Sequence, residues 1–204
     1  MTFVLIHGSF TSHDQLEKFW LPRLNESVSE HGRQVLLPQF PTDDKDTVIA
    51  QGPTALTNQT LQSWLESFDK FYPQIADKDD LIFVCHSLGP LFALHVLQQY
   101  DIKLNAAIFI CPFLTHLAKS PWQVNHVNQS FYKDDFDFDL LKAKVPFSYV
   151  VYSTNDPYVE TSQSLTFAEK MNSTIIPVVD GGHLNKAENA GFIIELCKTR
   201  VPST

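Results

Sequence analysis

The residues with the clearest chemical potential lie around Ser87. Five apolar residues at positions 81–85 lead through one histidine into Ser87, and a leucine and Gly89 follow. This order predicts a strand, a sharp turn and a helix with the serine at the bend. It is a variant of the nucleophile elbow G-x-S-x-G in which Cys85 replaces the first glycine. The pattern favours Ser87 as a nucleophile, whereas a serine at an ordinary strand–helix junction would cap the helix.

A serine hydroxyl needs a base to accept its proton before it can attack a carbonyl group. His183 is the predicted base, because it follows the last predicted strand in a Gly-Gly turn and can reach over the sheet towards Ser87. The chain has eight histidines, so an ordinary solvated histidine is the alternative. Two rivals lie near the same predicted edge of the sheet: His86, which the sharp bend should point elsewhere, and His7, which comes early in the chain.

The predicted acid is Asp156, in a turn just after the fifth predicted strand. Its carboxylate would accept the second imidazole N–H and hold the ring in the required tautomer. A turn or helix-capping aspartate is the alternative, since Asp-Pro is common in turns. Asp180 is the main competitor because it lies just before His183, although it could cap the Gly-Gly turn instead. The chain order of serine, acid and histidine fits the elbow enzymes and favours Asp156.

The segment 7–10, His-Gly-Ser-Phe, follows the first predicted strand and would complete an oxyanion hole. The backbone N–H of Leu88 points into the site after such an elbow, and the N–H of Ser9 is the predicted second donor. Four aromatic side chains could line an acyl pocket, although residues of this type are more often part of the core. These predicted substrate-binding residues are Phe10, Phe113, Trp122 and Tyr158.

Cofactor chemistry has little support in the sequence. The chain has neither a P-loop nor a G-x-G-x-x-G pattern, and its histidines lack the paired spacing of metal ligands. We therefore expect neither a metal nor an organic cofactor.

Apolar runs that alternate with helical patterns predict the fold. Unbroken apolar runs are typical of strands buried on both faces, as in parallel sheets covered by helices. The sequence therefore predicts an α/β fold, a three-layer sandwich with a mostly parallel sheet of about six strands covered by helices on both faces. Ligands of such sheets bind beyond the carboxyl ends of the strands, where the candidate residues cluster. The predicted strands are 3–6, 35–37, 81–85, 106–110, 147–153 and 174–179, and the predicted helices lie within 12–30, 57–72, the segment after the elbow, 160–171 and 186–198.

Two segments depart from this alternation. Residues 112–145 include two prolines and an Asp-rich run, and we interpret them as an excursion over the strand ends with short helices. The segment after the second strand, with Pro38, Pro41 and two aspartates, is interpreted as a polar loop. A length of 204 residues fits a single domain, 1–204, with a sizeable core.

The composition is that of an acidic globular protein, with 44% hydrophobic residues and a formal charge of −8. This charge argues against binding to nucleic acid or to anionic membranes. Three cysteines in apolar surroundings indicate buried free thiols, which are common in reducing compartments. The first apolar run is too short for a secretory signal, and no run approaches the ~20 apolar residues of a membrane span. We expect a cytoplasmic protein that does not bind membranes. The sequence does not indicate a protein partner.

Several of these motifs resemble those of the α/β-hydrolase superfamily. More narrowly, the chain is similar to the small serine hydrolases typified by retinoblastoma-binding protein. Its total length and its segment 131–141 also fit that group. The resemblance implies a compact hydrolase core with little or no cap, and it fixes no substrate. The motifs that carry it are His7-Gly8, Cys85-His86-Ser87-Leu88-Gly89, Asn155-Asp156-Pro157-Tyr158-Val159 and Gly182-His183.

The residues and the resemblance together predict a serine hydrolase that cleaves esters of small or medium acyl groups through an acyl-enzyme. Two alternatives stay open. A thioesterase or small amidase would use the same triad, because the acyl-enzyme chemistry is shared. A non-catalytic protein could keep the same fold to bind a partner, although the complete set of Ser87, His183 and Asp156 argues against it.

Overall fold

The computed structural model describes residues 1–12, 21–29 and 33–199. Its centre is a six-stranded sheet with the order β2-β1-β3-β4-β5-β6, in which every neighbouring pair is parallel. This sheet and its flanking helices confirm the predicted α/β class. The strands are β1 Thr2–Ile6, β2 Gln34–Leu36, β3 Leu81–His86, β4 Ala106–Ile110, β5 Ser148–Ser153 and β6 Thr174–Val178.

Helices flank the sheet and pack against one another. The helices among the described residues are α1 Leu21–Ser29, α2 Lys45–Gln51, α3 Leu61–Phe71, α4 Leu88–Gln99, α5 Trp122–Asn128, α6 Phe138–Lys144, α7 Thr161–Met171 and α8 Ala190–Thr199, with 3-10 turns at Tyr72–Gln74, Gln129–Phe131 and Ala187–Asn189. Helix α1 packs against α8, α4 packs against α6, and α6 packs against α7.

The central strands form elements of the expected kind because both of their faces are apolar. Every residue of β1, β3 and β4 is buried. The parallel register aligns the ends of these strands, since Ile6 pairs with Cys85 and His86 pairs with Ile110. The loops that follow β1, β3 and β4 therefore leave the sheet side by side, at the edge where ligands of such sheets bind.

Aromatic rings pack beneath this edge. Trp64 of α3 is fully buried, stacks on Phe40 at 4.7 Å between ring centroids, and meets Phe92 of α4 edge-to-face at 5.1 Å. Its indole N–H, which needs a partner when buried, donates to the carbonyl of Pro41 at 2.7 Å. This cluster joins α3 and α4 and packs against His7, the residue that follows β1.

Two predicted segments differ from the structure. The segment after β2 is not only a polar loop, because it contains α2, whose N-cap Asp44 accepts from the Thr47 N–H at 2.8 Å. Val48 is the only buried residue of this short helix, so the sequence has no apolar periodicity there that would predict a helix. The helix predicted within 12–30 is described from Leu21, and its residues 13–20 lie outside the described part of the chain.

The excursion at 112–145 folds into α5, a 3-10 turn and α6. Together with α2, it carries a small apolar cluster separate from the main core, made of Val48, Ala55 and Val127 with Phe10 packed against them. Within the described ranges, no helix is long and apolar enough to cross a bilayer.

The start of α4 lies so close to β1 that only glycine fits at position 89. A Cβ added there would lie 2.4 Å from the carbonyl oxygen of Ile6 and 3.1 Å from that of His7, both of them backbone atoms. We expect Gly89→Ala to lower the free energy of unfolding by about 1–3 kcal/mol, as overpacking does in cores. Chemical denaturation measures this change.

Gly191→Ala is the matched control, because a Cβ at this position of α8 meets nothing within 4 Å. It should raise the free energy of unfolding by up to about 1 kcal/mol through helix propensity. Equal effects of the two substitutions would contradict the steric explanation.

Candidate active site

Ser87 lies between β3 and α4 in a backbone conformation that non-glycine residues rarely adopt, with φ 59° and ψ −106°. Its N–H donates to the carbonyl of Ile110 at 2.8 Å, and its side chain makes no capping bond to α4. The helix-cap alternative therefore does not describe this serine. Strained residues of this kind persist only where the surroundings fix them, and they cluster at functional sites.

The Ser87 hydroxyl begins a chain of two hydrogen bonds. Its Oγ lies 3.0 Å from Nε2 of His183, and Nδ1 of His183 lies 2.8 Å from Oδ2 of Asp156. An ionised carboxylate can only accept, so Nδ1 carries the proton and Nε2 has a free lone pair for the Ser87 hydroxyl. The structure thus brings together the three residues that the sequence predicts as nucleophile, base and acid.

Asp156 is held as a buried carboxylate, with its side chain only 3% exposed. Its Oδ1 accepts from the N–H groups of Tyr158 at 2.9 Å and Val159 at 3.1 Å, and its Oδ2 faces His183. Burial alone would raise the pKa of Asp156, but the hydrogen bonds and the charge of His183 outweigh burial and hold this pKa below its usual value. The competitor Asp180 is exposed in the turn, where its N–H donates to Thr154.

The turn that carries His183 is fixed from several sides. The N–H of Gly182 donates to the Asn155 side chain at 2.8 Å. The His183 ring meets Tyr158 edge-to-face at 5.1 Å, and the ring of His86 at 4.7 Å. These contacts hold the imidazole between Ser87 and Asp156.

His86 is hydrogen-bonded to the turn that carries His183. Its Nε2 lies 2.8 Å from the carbonyl oxygen of His183, and because a carbonyl can only accept, Nε2 carries the proton. Burial, helped by the charge of the neighbouring His183, lowers the pKa of His86 to about 3. His86 is therefore neutral near pH 7.

His7 orients a peptide of the predicted oxyanion hole. The N–H of Phe40 donates to its Nε2 at 3.2 Å, so Nδ1 carries the proton and donates to the carbonyl of Gly8 at 2.9 Å. Burial lowers the pKa of His7 to about 4 and keeps the ring neutral. In a trans peptide the N–H points opposite to the carbonyl, so this bond sets the direction of the Ser9 N–H.

The two predicted oxyanion donors flank Ser87. Leu88 is the first residue of α4, so its N–H has no partner within the helix. On the other side, Gly8 lies so close to Ser87 that an added Cβ would come within 2.7 Å of the Ser87 Cβ. A residue with a side chain at position 8 would push the loop of Ser9 away from Ser87.

A cavity of about 240 Å³ opens beside Ser87. Of the predicted substrate-binding residues, Phe10 and Tyr158 line it, whereas Phe113 and Trp122 do not. Phe113 is fully buried against Tyr132 because the chain enters the core directly after β4, and Trp122 starts α5 with 41% of its surface exposed. The lining residues are Gly8, Ser9, Phe10, Thr11, Lys45, His86, Ser87, Leu117, Val124, Tyr158, Val159, His183 and Asn185.

Cys111, at the end of β4, also contacts this site, although sequence reasoning assigned it no role. It is buried with φ 50°, and burial followed by the charge of Asp156 raises the pKa of its thiol. Ligand atoms of His86, Cys111 and His183 lie within 4.8 Å of one another, a grouping that could hold a metal. Both ring nitrogens of His183 and Nε2 of His86 are already hydrogen-bonded to protein groups, so this arrangement fits proton relay better than metal binding.

The buried neutral histidines predict a dependence of stability on pH. His86 has a pKa of about 3 in the folded chain and about 6.5 when unfolded, so the unfolded chain binds more protons between these values. The stabilisation is fully present above about pH 6.5 and is lost as the pH falls. We expect His86→Gln to reduce the slope of unfolding free energy against pH by about 1.4 kcal/mol per pH unit between pH 4 and 6.

Urea unfolding at a series of pH values measures that slope, and His116→Gln is the control because His116 is exposed. His7 should keep part of the slope in the His86 variant, since burial lowers the pKa of His7 as well. An unchanged slope in His86→Gln, or an equal flattening in His116→Gln, would contradict the explanation.

Comparisons with known proteins identify the family and the fold of this chain. A family model described as serine hydrolase matches residues 15–194. A search of curated proteins gave no match. Among solved structures, the ydeN gene product from B. subtilis is 21% identical with a TM-score of 0.75, covering 97% of each chain.

Two further structures share the fold at lower identity. An extracellular α/β-hydrolase from a Paenibacillus species is 15% identical with a TM-score of 0.64, covering 100% of both chains. Est1E from Butyrivibrio proteoclasticus, solved with ferulic acid bound, is 16% identical with a TM-score of 0.65, covering 97% of this chain and 86% of that one. These likenesses confirm the α/β-hydrolase fold, and because the family model spans most of the sequence, the chain belongs to the serine hydrolase family.

Proposed function

We propose that this serine hydrolase is a carboxylesterase that cleaves esters of small or medium acyl groups, with Ser87, His183 and Asp156 as its catalytic triad. The observation that carries the proposal is the pair of hydrogen bonds at 3.0 and 2.8 Å that links the three side chains. This arrangement activates a serine without a metal or an organic cofactor.

In the first half of the reaction, Ser87 Oγ attacks the ester carbonyl while its proton passes to Nε2 of His183. The carbonyl double bond opens to an oxyanion, which the N–H groups of Ser9 and Leu88 stabilise. When the oxyanion collapses, the bond to the alcohol breaks, and His183 returns its proton to the leaving oxygen. Asp156 holds the ring and stabilises the imidazolium that forms between these steps.

In the second half, the same residues hydrolyse the acyl-enzyme. Nε2 of His183 takes a proton from water, the resulting hydroxide attacks the acyl carbonyl, and the acid leaves as Ser87 recovers its proton from His183. One water is consumed for each ester, and the products are an acid and an alcohol.

The proposed acyl size follows from the cavity. Its volume of about 240 Å³ is small for ligand pockets, which usually measure about 300–1,000 Å³. The apolar surfaces of Phe10, Leu117, Val124 and Tyr158 suit an acyl chain. A short or medium chain therefore fits better than a long one.

A fluorophosphonate probe tests the nucleophile directly, because it reacts with an activated serine. Wild-type protein should be labelled on Ser87, and Ser87→Ala should be neither labelled nor active, with a loss of about 10⁶-fold in kcat of the kind that loss of a triad serine causes. Mass spectrometry locates the label. Ser162→Ala, which changes an exposed serine on α7, is the control and should label like wild type. Folded wild-type protein that is not labelled would refute the proposal.

A panel of matched substrates tests the ester assignment. p-Nitrophenyl acetate and butyrate should be hydrolysed with a higher kcat/KM than the laurate ester, and ethyl butyrate faster than its thioester or amide counterparts. A feruloyl ester belongs in the panel because ferulic acid occupies the related Est1E. Preference for the thioester or the amide would overturn the carboxylesterase assignment while leaving the triad in place.

A further inference from the structure

Two buried amide side chains lie behind the predicted oxyanion loop and take no part in the mechanism above. Gln59, which precedes α3, and Asn128, at the end of α5, are both 0% exposed, and neither lines the cavity. Buried amides are costly unless they are hydrogen-bonded, so their partners indicate what they stabilise. Those partners are in the loop of Ser9 and Phe10.

The orientation of both amides is determined by one backbone donor. The N–H of Phe10 donates to Oε1 of Gln59 at 3.0 Å, and since an N–H can only donate, this bond fixes which end of Gln59 is oxygen. The other end, Nε2, then donates to Oδ1 of Asn128 at 3.0 Å, which fixes Asn128 in turn. The same oxygen accepts from the hydroxyl of Ser9 at 2.6 Å. The three bonds form a closed path that begins and ends in the loop.

The backbone at one end of this path is strained. Phe10 has φ 55°, in the left-handed region that non-glycine residues seldom adopt. Such conformations persist only where the surroundings fix them, and the bond from the Phe10 N–H to Gln59 is one contact that does so. The amide pair thus holds the residue that directly follows the predicted oxyanion donor Ser9.

The amides are in turn anchored away from the site. The backbone N–H of Gln59 donates to Oδ2 of Asp43 at 2.9 Å, and the N–H of Asn58 donates to Oδ1 of Asp43 at 2.9 Å. On the other side, Val127 precedes Asn128 and belongs to the small apolar cluster against which Phe10 packs. Two segments distant in sequence therefore hold the same loop.

We propose that Gln59 and Asn128 are positioning residues that hold the Ser9–Phe10 segment so that the Ser9 N–H is directed at the oxyanion. The inference rests on the proposed function, because it assumes that Ser9 is an oxyanion donor. Neither amide contacts the reacting atoms. Their effect is on the placement of the donor, which matters because a displacement of about 1 Å at a catalytic group can cost on the order of 10² in rate.

Two substitutions at position 128 separate positioning from packing. Asn128→Leu keeps the branching of the side chain and removes the accepting oxygen, and it should lower kcat by about 10–100-fold with KM changed by less than about 3-fold. Asn128→Gln keeps an amide oxygen for Ser9 and Gln59 without adding a charge, and it should retain more of kcat than Asn128→Leu when both are measured below their melting temperatures. Gln59→Met should behave like Asn128→Leu, and the double variant should lose little more than either single one.

A trifluoromethyl ketone inhibitor supplies a readout that loss of stability alone does not change, because its adduct with the serine carries an oxyanion. Its inhibition constant should rise in Asn128→Leu by the same factor by which kcat/KM falls. Leu141→Ala is the matched destabilised control, because Leu141 is the buried residue of α6. This substitution should lower the melting temperature without changing the inhibition constant. An unchanged inhibition constant in Asn128→Leu would overturn the proposal.

Amide hydrogen exchange tests the positioning independently of any activity. In Gln59→Met and Asn128→Leu, peptides that cover residues 8–11 should exchange faster than in wild type, while the peptide around Ser87 should not. Unaltered exchange at 8–11 would refute positioning even if the enzyme is active. Failure of wild type to hydrolyse any ester, combined with the expected exchange, would refute the proposed function alone.

Discussion

The close approach of the β1 loop to the Ser87 elbow is the constraint on which the rest of this structure depends. Ser87, the predicted oxyanion donors and the first turn of α4 all meet within a few ångströms of Gly8 and Gly89. Any side chain at either position would separate them. The parallel register produces this approach, because β1 and β3 are adjacent and end at the same level. The strained backbone of Ser87 is then held by a hydrogen bond to β4 and by packing on both sides.

Around this contact, the Asp156 carboxylate is ionised and the buried histidines are neutral. The backbone N–H groups of Tyr158 and Val159 stabilise the Asp156 carboxylate, while burial keeps His7 and His86 neutral. If either buried histidine were protonated, its charge would disfavour protonation of His183 in the reaction, since like charges in a medium of low dielectric repel strongly. Neutral neighbours therefore leave the Asp156 carboxylate as the charge that acts on the His183 ring.

The sequence predicted most of the sheet and brought out the residues that meet at the site. It could do so because apolar runs of the central strands are unbroken and because Ser87, Asp156 and His183 each follow a strand, so the register of a parallel sheet gathers them. Sequence patterns failed where the structure depends on contacts across long separations. No sequence pattern near Gln59 or Asn128 indicates that the two amides are hydrogen-bonded. An aromatic residue that follows a strand, such as Phe113, gives the same sequence pattern whether its side chain lines a cavity or packs in the core.

The excursion at 112–145 links the cavity to the amide pair. Its helix α5 supplies both Val124 to the cavity wall and Asn128 to the buried amides, so the cavity and the predicted oxyanion loop share one element. Two apolar contacts hold this helix, because Val124 packs against the main core and Val127 belongs to the small cluster with Val48 of α2. A change in the position of α5 would therefore alter the cavity wall and the support of the Ser9 loop together.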